Sequence, residues 1–366
     1  MQKQNASILD INPTNPEDAP KGIIKSISWS PNATSLTFMT SDLASQIRIY
    51  NLNPGPLSLT QTACLNTESP CLHVNWCGDE TRVIGGGLDH SIRLFDASTG
   101  KSDMIGLHEE PVKSVYWLGS TNQILSLSLD KTLRLWDPRQ EGPTTCYTLD
   151  HRMYCSDLLY PYLGLALSEQ KLMLLNVEEI QSTLETKEAR KKSYIESPMG
   201  MKTEIVSIKM FGGDGLGVAI GGIDGRCIIS RVNDPQKTLA RIANVLTFKT
   251  ASRAKDGTEP PPSPVNCLGF HPHLGKDFCY TGRGDGKMNF WDIKKKDKIA
   301  EFNFGGMPVT QAEIDPTGKF LAYSIGGGDL SKEGLEGASK VCVHAMQDRE
   351  LRHKAIAEET YPIRYP

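Results

Sequence analysis

The 366-residue sequence predicts an all-β fold: a seven-bladed propeller of four-stranded antiparallel blades, its ring closed by an N-terminal strand. Two observations predict it. Apolar and polar side chains alternate with a period of two along most of the chain, as half-buried strands require, and almost no stretch shows helical spacing. One short phrase also recurs: an Asp-centred turn followed, six residues on, by the residue that closes a strand, as in "LSLDKTLRLWD" at 127–137.

Each unit has the same parts in the same order. A short strand comes first and often ends in an aromatic, at 23–29, 71–76, 112–117 and 265–270. A second apolar strand follows, at 83–87 and 124–128 for example. The Asp turn then opens a third strand: Asp89 to Phe95, Asp130 to Trp136, Asp224 to Ser230, Asp285 to Trp291. The closing positions are Tyr50, Phe95, Trp136, Leu175, Ser230, Trp291 and Val343, 39 to 61 residues apart. That spacing approaches the roughly 40–45 residues of a WD repeat once loop insertions are allowed. Seven occurrences give seven blades.

The phrase has a packing reason. A four-stranded blade cannot cover both its faces, so neighbours must stack on it. In a WD repeat the turn Asp joins a buried hydrogen-bond set with a His, a Ser or Thr and the strand Trp. Blade three alone holds every member, in His108, Ser126 or Ser128, Asp130 and Trp136. Asp89, Asp224, Asp285 and Trp291 are the partial counterparts elsewhere.

Closing a ring removes exposed sheet edges, and "NASILDI" (5–11) is the candidate closing strand, against a third strand of blade seven at 340–346. One domain is therefore expected over 1–346, with a charged C-terminal tail at 347–366. Three polar, breaker-rich insertions, at 178–198, 250–264 and 326–339, read as loops.

Composition narrows the function classes. Forty basic against 43 acidic residues leave a net charge of −3, so no global basic excess announces nucleic acid. No apolar run is long enough to span a bilayer and the start lacks a signal-peptide pattern, which leads us to expect a soluble intracellular chain without membrane insertion. Nine scattered cysteines read as reduced structural thiols. No metal ligand set, cofactor or catalytic constellation is expected. The histidines lack metal spacing, the Gly-rich runs lack a phosphate-loop ending, and no Ser sits in a nucleophile elbow. The Arg-Gly-Asp within "GRGDG" (282–286) is accounted for by Asp285 as a blade turn.

Two basic runs remain, Lys187, Arg190, Lys191 and Lys192 in the first insertion, and Lys294, Lys295, Lys296 and Lys298 after blade six. They read first as solvated loops. The sharper reading is RNA contact through Lys191, Lys192, Lys294 and Lys295, which would supply salt-sensitive, sequence-independent affinity.

From Gly22 to Lys354 the residues resemble one branch of WD-repeat proteins: the nuclear-pore messenger-RNA export factors (Rae/Gle type) and their sisters, the Bub-type mitotic checkpoint propellers. "YIESPMGMKTEIVSI", "GGIDGRC", "VNCLGFHP" and "GDGKMNFWD" fit both. "GGGLDHSIRLFD" and "LWDPR" lean toward the checkpoint protein, whereas "RMYCSDLLYP" (152–161) and "GGGDLSKEG" resemble the export factor more diagnostically. The resemblance implies a non-enzymatic adaptor that binds a nucleoporin's Gle-binding sequence on its top face and links messenger RNA or ribonucleoprotein to export. It implies residence in the nucleus, at the pore in the nuclear envelope, with shuttling to the cytoplasm. The alternative is a spindle-checkpoint adaptor that holds the same motif type in checkpoint kinases.

By the same resemblance, Arg226 in "DGRC" and Lys249 in "TFKTASR" meet acidic residues of the motif, and Arg253 stands in for a further Arg after altered spacing. Leu43 and Leu129 occupy places where the family carries Trp, which removes two aromatic anchors. A third class, an enzyme working in the central channel, would require His, Asp or Glu converging at one mouth of the ring.

Overall fold

Seven antiparallel sheets of four strands follow one another along the chain. The computed structural model describes residues 10–180, 194–195, 201–212, 215–233, 241–251, 261–327 and 339–351. Blade one runs through Ile24–Trp29, Thr37–Asp42, Gln46–Asn53 and Ser58–Asn66, paired in chain order, and the next five blades repeat that order. In blade seven, Val309–Ile314, Phe320–Gly326 and Ser339–Ala345 are joined by Asp10–Ile11, which pairs with His344 and Val343. The remainder of the expected closing strand, 5–9, lies outside the described residues.

The first strand of each blade lines a central channel. Strands alternate in direction, so the second-to-third turns and the connections into each first strand emerge on one face, here the upper. The third-to-fourth turns emerge on the lower.

Packing explains why the blades need one another. Seven clusters of buried side chains hold the ring, and each joins two neighbouring blades. Leu125, Leu127, Leu163 and Leu165 join blades three and four. Phe38, Tyr50, Phe320 and Val343 join blade one to blade seven. Each buried aliphatic or aromatic side chain contributes about 1.5–3 kcal/mol. Within blade two's fourth strand Gly106 is required by close approach, because a Cβ there would overlap the Trp136 ring.

Blade three contains the complete buried set. Nδ1 of His108 lies 3.0 Å from Oδ2 of Asp130, and its Nε2 lies 2.7 Å from Oγ of Ser126. Nε1 of Trp136 donates to the same Ser126 oxygen at 2.7 Å. Ser126 is therefore the hydroxyl member; Ser128 instead donates to the carbonyls of Glu110 and Pro111. In blade six Trp291 repeats half of the set by donating to Thr281 at 3.0 Å.

One expectation needs correction. The insertion at 178–198 was expected to be loop throughout, yet Tyr194–Ile195 pairs with Leu172 and Met173 as the fourth strand of blade four. Two residues cannot display a readable alternation; the open edge of the third strand selects them. The described part of the charged tail, to 351, is packed against the ring. A short helix, Asp348–Leu351, buries Leu351 against blades six and seven, and Glu350 lies 2.9 Å from Nε2 of buried His344. All nine cysteines are thiols, and burial pushes Cys71 and Cys267 up to about 12, the range of an inert side chain. No helix among the described residues is long and apolar enough to cross a membrane.

Candidate partner-binding face

The upper face is built from repeated turns, so one position can be compared around the ring. The residue that opens each second-to-third turn donates its N–H to the carbonyl just ahead of the first strand. Leu43 donates to Ile23 at 3.0 Å, Leu88 to Pro70 at 3.0 Å, Leu129 to Pro111 at 3.1 Å and Ile223 to Glu204 at 3.2 Å. Leu88 and Ile223 are 39% and 47% exposed, while Leu43 and Leu129 are half-buried. Blades six and seven put Gly284 and Gly326 there. Leu107, the last residue of blade two's fourth strand, and Met307, on the connection into blade seven's first strand, add exposed apolar surface. Leu43 and Leu129 thus belong to an apolar set that sequence reasoning saw only as lost Trp residues. Leu88 and Ile223 were missed; the shared place immediately before the turn Asp was the signal that could have found them.

Blade five adds charge to this face. Arg226 opens the third strand, Arg226–Asn233, and Lys249 ends the fourth, Arg241–Lys249; the two are direct cross-strand partners. Residues so paired point to the same side of a sheet. Lys249 is exposed and Arg226 half-buried, its Nε 3.2 Å from Oδ2 of Asp224. Asp224 also accepts the Arg226 N–H at 3.1 Å, which fixes the turn. Arg253 lies outside the described residues.

The other candidates separate from this site. Lys294 and Lys295 sit on the third-to-fourth turn of blade six, at the lower face, with Lys294 2.8 Å from Asp277. Lys191 and Lys192 lie outside the described residues. Asp89 bonds Ser91 at 2.6 Å, and Asp285 holds buried Arg283 at 2.6 Å, so both act within their turns.

The channel does contain ionisable groups, engaged in holding blades together. Lys209 of blade five reaches Asp157 of blade four at 3.0 Å and Glu313 of blade seven at 3.9 Å. Asp157 also accepts the Met210 N–H at 2.7 Å, and Glu313 accepts the Trp29 N–H at 3.1 Å. Burial opposes the charge on Lys209, but Asp157 and Glu313 outweigh it and hold the ammonium above the ordinary lysine range. Burial raises the Glu313 carboxyl despite Lys209. His73 is held neutral, down to about 4, by burial and then by Lys113 and Lys209. No three His, Cys, Asp or Glu side chains among the described residues are placed to hold a metal. These contacts brace neighbouring blades and form no pairing of nucleophile and base.

Residues 104–137 match the family model "WD domain, G-beta repeat", and they span the complete set from His108 to Trp136. The chain is similar to the Poly(A)+ RNA export protein of Schizosaccharomyces pombe, at 27% identity over 91% of this chain and 90% of that one. It is 29% identical to Protein RAE1 of Arabidopsis thaliana, covering 92% and 91%. It is 26% identical to the WD40 repeat protein poxJ of Penicillium oxalicum, covering 97% and 98%.

Proposed function

We propose that this seven-bladed WD-repeat propeller, similar to messenger-RNA export factors across about nine-tenths of its length, is a non-catalytic adaptor in messenger-RNA export. It holds the acidic Gle-binding sequence of a nucleoporin across its upper face and works at the nuclear pore, shuttling to the cytoplasm with ribonucleoprotein cargo.

The cross-strand pair Arg226–Lys249 is the observation that carries this reading. Like charges placed directly opposite on a sheet cost roughly 0.2–1 kcal/mol. Asp224 offsets that in part from within the turn. A carboxylate of the motif can meet this positive pair from solvent, and Arg can grip it with two parallel hydrogen bonds. The apolar side chains at Leu88, Leu129 and Ile223 lie on the same face and give a peptide non-polar contacts around that charged anchor.

The test is anisotropy of a labelled synthetic peptide carrying an acidic nucleoporin motif. Arg226→Glu is expected to weaken binding by about 2 kcal/mol, roughly thirtyfold, and more at low salt. Unchanged affinity in that variant would overturn the site. Capture from cell extract then separates the sister roles. A nucleoporin retained by the native chain and lost by Arg226→Glu supports export, whereas checkpoint kinases in its place assign the spindle-checkpoint role.

A further inference from the structure

Every first strand carries a bulge at its second residue, because pairing with the second strand slips between Ile24 and Ser26, Cys71 and His73, Val112 and Ser114, and at the matching place in the other four blades. Bulges re-aim the extra side chain. Here they bring one residue from each of blades one to six to the channel wall near its upper mouth, and in blades one and three those residues are Lys25 and Lys113. The channel encloses about 410 Å³.

Among the described residues no carboxylate lies within ion-pair distance of either ammonium. The two carboxylates on the channel wall, Asp157 and Glu313, sit further from the upper mouth and are engaged with Lys209 and backbone N–H groups. Charge is thereby divided along the axis, positive at the mouth and net negative below it. A hydrogen-bond donor accompanies the lysines. Nδ1 of His73 accepts the Val115 N–H at 3.4 Å, leaving Nε2–H as a donor. Burial, and then the charge of Lys113, hold the Lys25 ammonium below the ordinary lysine range. An anion seated between the two lysines relieves both penalties.

We propose that the upper mouth of the channel is a binding site for a compact anion bearing two adjacent phosphate groups, held between Lys25 and Lys113. A phosphate group offers three strong acceptor oxygens and about two negative charges, which suits paired ammonium groups and an imidazole N–H. Asp157 and Glu313 repel an anion that descends further, so the occupant is short and stays at the mouth. The site is independent of the partner motif and does not rest on it.

Inorganic pyrophosphate is the probe, titrated calorimetrically into the full chain, with phosphorus NMR line broadening as a second readout. One site is expected. Lys25→Met and Lys113→Met each weaken it at least tenfold, the double variant abolishes it, and Lys294→Met leaves it unchanged. Thermal unfolding checks that the variants are folded; if the double variant fails to fold, the two single variants decide. Absence of binding by the native chain overturns the proposal, as does binding unaffected by either lysine or lost with Lys294→Met. Citrate binding as tightly as pyrophosphate overturns the phosphate assignment.

Discussion

The upper turns of blade three and blade five share a backbone path: Leu129 and Ile223 each donate an N–H back to the residue ahead of the first strand, and an Asp follows each. Their side chains take opposite directions. In blade three Asp130 faces inward to His108, and the set runs on through Ser126 to buried Trp136. In blade five no such set surrounds Asp224 among the described residues, and its carboxylate turns to Arg226, with Lys249 alongside. A complete network spends its polar groups on the fold. An incomplete one leaves the same turn carrying charge to the surface, where a partner can meet it.

The comparison is broken most severely at its buried end. Trp136→Ala removes a fully buried indole and one of the hydrogen bonds to the Ser126 hydroxyl, so about 3–5 kcal/mol of stability should be lost, read as a lower urea midpoint. Arg226→Glu should leave that midpoint almost unmoved while weakening the peptide, because its side chain is partly exposed.

Acid probes the inward side next. Burial holds His108 below the ordinary 6.5, and His73 down to about 4. The unfolded chain therefore takes up protons that the folded chain refuses, and stability falls as pH drops from 6.5 toward 4. Asp130 continues the trend lower. Burial raises its carboxyl, but hydrogen bonds from Thr132, Glu109 and His108 outweigh that and hold it below the ordinary 3.8, so its contribution is lost at more acid pH. A urea midpoint independent of pH across 6.5 to 4 would contradict this.

Smaller effects sharpen the outward side. Ile223→Ser and Leu88→Ser should each weaken the peptide by about 1 kcal/mol, near fivefold, through lost apolar contact and without loss of stability. Lys294→Ala, on the lower face, should change peptide affinity by less than twofold, a difference that parallel anisotropy titrations resolve.

Much of the fold was legible because its signals are local. The period of two, the turn Asp and the residue six places on mark a strand within a dozen residues of chain. Where the local signal is thin the reading failed, as at Tyr194–Ile195, which the neighbouring sheet edge recruits. Of the site, Arg226 and Lys249 were named through resemblance, but nothing in the sequence says that they stand opposite each other; that depends on hairpin register. The apolar turn positions were half legible: Leu43 and Leu129 were noticed as replacements, whereas Leu88 and Ile223 are tied to them by turn hydrogen bonds that the sequence does not display.

By itself, then, the sequence determined the repeated unit: seven alternating, Asp-turned blades whose uncovered faces oblige them to stack. Tertiary structure alone decided which distant groups meet. Trp29 and Glu313, 284 residues apart, share a hydrogen bond because the ring closes, and Lys209 braces Asp157 and Glu313 across the channel. Lys25 and Lys113 approach one mouth because both fall on bulges. Pattern along a chain reports which side of a strand is buried. What lies across a channel depends on closure and register, to which no single repeat is sensitive.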